Sequence, residues 1–343
     1  MSLNMFLGVI AVIIFLSILI LVHELGHFLL AKKFGLLVEE FGFGLPPRLW
    51  GKKIGETVYS INALPFGGFV KIYGEDTDAI SGGMRDFRNL FVWKRAIIIA
   101  AGVLMNFLLG WLVISVVFSI GLPPAVLITD VRPNSPAGGI GLQAGDKIID
   151  FTKVDEFVRY IDQNRGKEIT LKIERSGKEI SFEATPRINP PVGEGALGIG
   201  LVEAGLPKQN IARSFAEGFK ASVEMIKAIF IALFNLISRA VVGKATLEQV
   251  AGPVGIVKIT AQAGSLGFIY LLQLLALISL NLAVINIFPF PALDGGRLLF
   301  LLIEKIKGSP LPVKFEKYAN AAGMALLLFL MAIITIKDIS RFL

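Results

Sequence analysis

The sequence predicts a polytopic α-helical membrane protein with about four transmembrane helices. A hairpin region lies against the membrane, and a water-soluble α+β domain is inserted between the helices. Two observations predict this. Hydrophobic residues make up 54% of the 343 positions, a share soluble domains of this size rarely reach. They gather into runs long enough to cross a hydrocarbon core, which takes about 20 residues of helix.

The first run is Phe6 to Leu30, with His23, Glu24 and His27 as its strongly polar members. It reads as a span rather than a signal peptide, because Met1 to Met5 carries no basic residue and Lys32-Lys33 closes the run as a stop. A second run is Ala96 to Gly121, a third extends from about Leu266 to Phe288, and a fourth from about Ala319 to Ile336. The connection 32–95 is rich in Lys and Arg, and so is the stretch after the third run, with Arg297, Lys305, Lys307, Lys314 and Lys317. The positive-inside rule places both in the cytoplasm and residues 122–210 outside. Because the basic residues cluster at the ends of apolar runs, the +7 formal charge reads as membrane orientation. The lipid bilayer is the expected partner, and nucleic acid is not.

Residues 211–240 are ambiguous. Glu217, Lys220, Glu224 and Lys227 recur at three- and four-residue spacing and form one polar stripe on a helix. The uninterrupted apolar part, Ala228 to Ile237, is too short to span. The expectation is an amphipathic helix at the outer interface, with a fifth span as the alternative. The division is therefore 1–121 for the first two spans and the cytoplasmic loop, 122–187 for the inserted domain, 188–265 for a connector with the interfacial helix, and 266–343 for the last two spans.

The chain has two histidines and no cysteine, so a metal site must combine these imidazoles with oxygen ligands. Both sit in His23-Glu24-Leu25-Gly26-His27, an HExxH pattern that puts two imidazoles on one helix face. Catalytic zinc takes three protein ligands and keeps a position for water, and Glu24 can take and return that water's proton. Ionisable residues inside a span cost about 2.5–3.5 kcal/mol each on insertion scales and usually mark function. The alternative is hydrogen bonding to neighbouring helices. The oxygen-ligand candidate is Asp294, following Asn286-Ile-Phe-Pro-Phe-Pro-Ala-Leu. Pro289 and Pro291 interrupt the third span, and irregular backbone at membrane depth is tolerated only inside protein or along a wet cavity. Asp294 could alternatively cap a new helix. If 211–240 does not cross, the first and third spans run in the same sense and bring His23, His27 and Asp294 to matching depth. If it crosses, Asp294 lies at the opposite face.

At these residues the sequence resembles the site-2 protease family of intramembrane zinc metalloproteases, and within it the bacterial members with a single PDZ domain. The resemblance rests on HELGH, on NIFPFPALDGG, and on Phe41-Gly-Phe-Gly44, Leu64-Pro-Phe-Gly-Gly68, Ala100 to Phe107 and Gly252-Pro-Val-Gly255. It implies one Zn2+ bound by His23, His27 and Asp294, with Glu24 as general base. The family often has Gly-Pro where this chain has Gly102-Val103. The glycine-rich stretch 37–73, with Thr57 to Ile61, reads as a hairpin or small sheet whose edge could pair with extended substrate, or as an ordinary amphiphilic loop. Asn286 is a substrate-binding candidate for the peptide backbone or the oxyanion, with interhelical bonding equally open. For Asn106 and Asn281 the interhelical role is favoured.

Residues 122–187 carry short strand patterns at Val126–Val131, Ile148–Phe151, Glu168–Glu174 and Glu179–Ala184, and a helix at Val154–Gln163. The turns Asn134-Ser-Pro-Ala-Gly and Gly141 to Asp146 resemble those of bacterial PDZ domains. Such a domain would bind extended peptide or act as a spacer that excludes substrates with long outer ends. The expected activity is zinc-dependent cleavage within transmembrane segments of single-pass proteins, such as anti-sigma factors or remnant signal peptides, in the bacterial cytoplasmic membrane. The alternative is a non-catalytic zinc-binding scaffold that recruits partners through the PDZ-like domain. A metal transporter is disfavoured by the lack of a second histidine cluster.

Overall fold

The computed structural model describes residues 3–75, 85–175, 177–191, 193–243 and 251–342. The chain forms two compact units, one of residues 1–114, 218–264 and 271–343, the other of 115–217 and 265–270.

In the first unit, α1 (Leu3–Lys33) carries the HExxH pattern near its C-terminal end. It leads into two long strands, β1 (Val38–Ile54) and β2 (Thr57–Ile72). These pair antiparallel but bend, and the register has three sets. Ile54–Thr57 to Arg48–Asn62 form the hairpin, and Val38–Ile72 to Phe43–Gly68 join the outer halves. Glu40–Val58 to Phe43–Ile61 advance in the same sense on both chains, so the ribbon folds back on itself. The hairpin reading of 37–73 thus describes a folded-back ribbon. No strand pairs with the far edge of Gly68–Val70 among the described residues.

Helix α2 (Val92–Ile120) returns against α1. A Cβ on Gly26 would overlap the Ala101 carbonyl, so glycine lets the two backbones touch, as small residues do in membrane helix pairs. Helix α7 (Phe268–Ile287) packs on α2 where Leu280 fills the space over Gly110. Helix α8 (Asp294–Lys307) follows, and α9 (Val313–Phe342) closes the unit. Arg95 of α2 and Glu304 of α8 form a two-pronged ion pair, with side chains 9% and 13% exposed.

Five helices are long and apolar enough to cross a membrane: Phe6–Lys33, Val92–Ile120, Ile211–Ala240, Phe268–Ile287 and Val313–Ser340. Four of them overlap the expected spans. The fifth belongs to α5 (Ile211–Val241), a continuous 31-residue helix. Sequence reading counted only its uninterrupted apolar part, yet a helix of this length tolerates a polar stripe, so length does not argue against crossing. The stripe is there: exposed Lys227 pairs with Glu224 at 3.0 Å.

Helix α6 (Pro253–Leu266) explains the Gly252-Pro-Val-Gly255 landmark. Asp338 of α9, 4% exposed, accepts the backbone N–H of Gly252 at 2.9 Å and of Gly255 at 2.8 Å. It caps the orphan donors at the start of α6 from another helix. Asp338→Ala is expected to cost about 1–3 kcal/mol, since hydrogen bonds to a charged acceptor are worth about 1.5–3 kcal/mol. Denaturant unfolding of the solubilised protein checks this, with Asp338→Asn retaining part of the loss.

The second unit is built on a five-stranded sheet in the order β6-β5-β4-β3-β7. Its strands are β3 (Leu122–Val131), β4 (Lys147–Ile148), β5 (Ile169–Arg175), β6 (Lys178–Ala184) and β7 (Ile199–Leu206), all paired antiparallel. Strand β4 is shorter than the Ile148–Phe151 pattern suggested, and β7 lies beyond residue 187. Helix α3 (Pro136–Gly139) is a single turn, and α4 (Val154–Gln163) has bounds as expected. Phe157 and Ile161 of α4 enter a core with Val126, Ile128, Leu171 and Ile173. The turn residues have defined tasks. Ser135 accepts the Gly138 N–H at 3.1 Å. Buried Asp146 takes both prongs of Arg175 at 2.6 Å and the Gln143 N–H at 2.8 Å. That bidentate carboxylate holds the Arg175 guanidinium above its ordinary pKa.

Candidate metal centre

The cluster forms where the C-terminal part of α1 meets the break between α7 and α8. His23 and His27 lie one turn apart on α1, their rings nearly perpendicular at 84° with centroids 4.8 Å apart. Both Nε2 atoms point inward and are 3.2 Å apart.

Asp294 reaches them because the chain after α7 cannot continue as a helix. Pro289 and Pro291 lack N–H donors. Ala292 takes a left-handed conformation, φ 77°, rare for a residue with a Cβ, and its N–H donates to Asn320 Oδ1 of α9 at 3.0 Å. Helix α8 then starts hard against the end of α7. A Cβ on Gly295 would overlap the carbonyl oxygens of Ile287 and Phe288, and one on Gly296 the carbonyl of Phe290. The two glycines after Asp294 are therefore a close-approach device. Asp294 is the first helical residue and Leu293 the N-cap, without a side-chain capping bond. Capping does not account for Asp294; its carboxylate turns to the histidines.

Asp294 Oδ2 lies 3.1 Å from His23 Nε2 and 3.5 Å from His27 Nε2. The three donor atoms form a near-equilateral triangle of 3.1, 3.2 and 3.5 Å. Bonds of about 2.0–2.1 Å at tetrahedral angles put donor atoms about 3.3 Å apart, so this set fits zinc with a fourth position open. The outer ring nitrogens then carry the protons. His27 Nδ1 donates to the Ile98 carbonyl at 2.9 Å, and His23 Nδ1 lies 3.3 Å from Asn106 Nδ2. Glu24 stands next to His23 on the same turn of α1.

Residues 11–330 match the family model described as peptidase family M50. The chain belongs to peptidase family M50. It is 38% identical to a Clostridium perfringens protein whose name assigns it provisionally to the zinc metalloproteases, over 94% of this chain and 96% of that one. It is 31% identical to the regulator of sigma-W protease RasP of Bacillus subtilis, over 97% and 98% of the two chains. With the regulator of sigma-E protease RseP of Escherichia coli it shares 29% identity over 96% and 97%. This M50 peptidase is thus a multi-pass membrane protein and a zinc metalloendopeptidase of the site-2 protease type.

The structure brings His23, His27 and Asp294 of this M50 peptidase together, with Glu24 beside them. Asn286, on the last turn of α7, is not in the cluster and is partly exposed, and its side-chain amide has no hydrogen-bond partner among the described residues. Three residues join the site without having been singled out for it. Gly102 faces the rings: a Cβ there would strike His27 Nε2 and lie 2.7 Å from His23 Cε1. A Cβ on Gly68 of β2 would lie 3.7 Å from Glu24 Cγ and 3.6 Å from Ile20 Cγ2, so the ribbon runs against the HExxH turn. Asn106 is the third. Gly102, Asn106 and Gly68 all stand in family landmarks, which was the available signal, but only packing shows what they touch.

Proposed function

We propose that His23, His27 and Asp294 hold one zinc ion, that Glu24 is the general base, and that the substrates are single-pass membrane proteins cut within their apolar segments. The observation that carries this reading is the donor triangle of 3.1, 3.2 and 3.5 Å, which has the spacing of a tetrahedral edge. Zinc bound there supplies a Lewis acid that polarises the scissile carbonyl and acidifies water. Glu24 accepts a proton from the attacking water and delivers it to the departing amide nitrogen. The edge of β2 at Gly68–Val70, beside the HExxH turn, gives an extended substrate a strand to pair with, which offsets the backbone hydrogen bonds lost when its helix unwinds. Asn286, with its amide unengaged, is the candidate to bind substrate backbone. The names of the RasP and RseP relatives refer to sigma regulation, which supports membrane-held regulators such as anti-sigma factors as substrates.

We place the catalytic end of α1 at the cytoplasmic side and residues 122–210 outside, with the sheet unit as a PDZ-like module. The basic loops support this, as does the arrival of both α1 and α7 at the site by their C-terminal ends. Helix α5 lies at the outer interface, leaving four spans. Helix α6 touches Asp338 through Gly252 and Gly255, and its Ala261 packs on Gly8. Gly8 is fifteen residues before His23, and Asp338 fifteen after Gly323, which packs on the Pro291 carbonyl. At 1.5 Å rise per residue both contacts lie about 22 Å from the level of the site, so α6 runs along the outer face. A crossing α5 would end at the face opposite α6.

The test is cleavage of a designed single-pass substrate with a short outer end by the purified protein, with products weighed by mass spectrometry. A cut within the apolar segment, lost with a zinc chelator, supports the reading. Cuts confined to soluble tails, or a cut insensitive to the chelator, contradict it.

A further inference from the structure

Asn106 lies at the centre of α2 and is 1% exposed. Its main-chain carbonyl accepts the Ser279 hydroxyl of α7 at 2.7 Å, and Ser279 is itself fully buried. That bond holds this turn of α2 against the helix that leads to Asp294. The Asn106 side chain meets His23 Nδ1 at 3.3 Å through Nδ2, while its Oδ1 is buried without a hydrogen-bond partner among the described residues.

These facts conflict with donation by the amide. The inner Nε2 of His23 faces Asp294 and His27, so when it offers a lone pair to a metal its Nδ1 carries the proton. Nδ1–H then needs an acceptor. A half-turn about the Cβ–Cγ axis exchanges the amide oxygen and nitrogen without altering the packing. It presents the otherwise idle Oδ1 to Nδ1–H. His27 has the equivalent bond from the Ile98 main-chain carbonyl, which a side-chain substitution cannot remove. His23 depends on a side chain.

We propose that Asn106 is a positioning residue for the metal centre: its carbonyl oxygen accepts the His23 Nδ1–H, fixing the tautomer and ring angle that aim Nε2 at zinc. The proposal rests on His23 being a ligand. Outer partners of ligating histidines are worth about 10- to 100-fold in metal affinity.

The experiment measures zinc affinity of the full-length, detergent-purified protein by chelator competition, independently of activity. Asn106→Leu removes the acceptor at similar volume and is expected to weaken zinc by about 10- to 100-fold. Asn106→Asp keeps acceptor oxygens, loses the donor, and is expected to remain within about threefold of wild type. Zinc binding by a folded Asn106→Leu within twofold of wild type overturns the proposal. So does a tenfold loss in Asn106→Asp, which decides the matter even where the leucine variant fails to fold. His23→Ala in parallel separates the two ideas. If it keeps zinc as wild type does, the ligand reading itself fails. If it loses zinc while Asn106→Leu does not, only the positioning role fails.

Discussion

Glu24→Gln is expected to lower kcat by about 10²- to 10⁴-fold, the contribution of a positioned general base, while zinc content stays at the wild-type level. The two effects separate because Glu24 belongs to the HExxH turn without belonging to the donor triangle, which His23, His27 and Asp294 complete alone. Glutamine has the same length and shape and fills the same space beside Gly68. It cannot accept a proton, so the attacking water loses its base. KM is expected to change little, because the ribbon edge and not Glu24 receives the substrate backbone. Single-turnover cleavage, with zinc quantified on the same sample, checks both halves. A Glu24→Gln protein that cuts at the wild-type rate would remove Glu24 from the mechanism.

Gly102→Val carries the second large effect, and its cause is steric. A Cβ at this position would strike His27 Nε2 and press on His23 Cε1, two rings already fixed by the Ile98 carbonyl and by Asn106. Overpacking of this kind costs about 1–3 kcal/mol, equivalent to about 5- to 150-fold in zinc affinity. Gly102→Ala shares the added Cβ and is expected toward the lower end. It also raises helix propensity by about 1 kcal/mol relative to glycine, so the metal-free protein is expected to hold its helix content while zinc weakens. Chelator competition alongside circular dichroism distinguishes this outcome from general unfolding. Wild-type zinc affinity in Gly102→Val would mean that the rings have room the packing does not show.

Much of this centre was legible in the chain. Two histidines four residues apart inside an apolar run, and an aspartate after a double-proline break, are chemical anomalies in a membrane helix. In the structure the two segments meet, with Asp294 Oδ2 3.1 Å from His23 Nε2. What the sequence could not show was contact. Gly102 and Asn106 sit in an apolar run like any other small or polar residue of a membrane helix, and only the crossing of α1 and α2 puts them on the imidazoles. The folded-back register of β1 and β2 was equally hidden, since alternation marks strands but not a ribbon that pairs twice. For α5, the helix over 211–240 and its polar stripe were both legible, but whether it crosses was not, because its length and hydropathy allow either arrangement. The turn Gly141 to Asp146 was readable as a signature, whereas the reason for Asp146 is an arginine 29 residues away.

In the proposed centre, three side chains from two distant segments hold one metal ion. The most direct test is zinc stoichiometry and affinity of the purified protein beside its Asp294→Ala variant under a mild chelator. One zinc per chain is expected in the wild type, with loss of that zinc in Asp294→Ala while helix content is unchanged. An Asp294→Ala protein that keeps zinc as tightly as the wild type would rule out Asp294 as a ligand, because HExxH alone would then be holding the metal and the break between α7 and α8 would need another explanation.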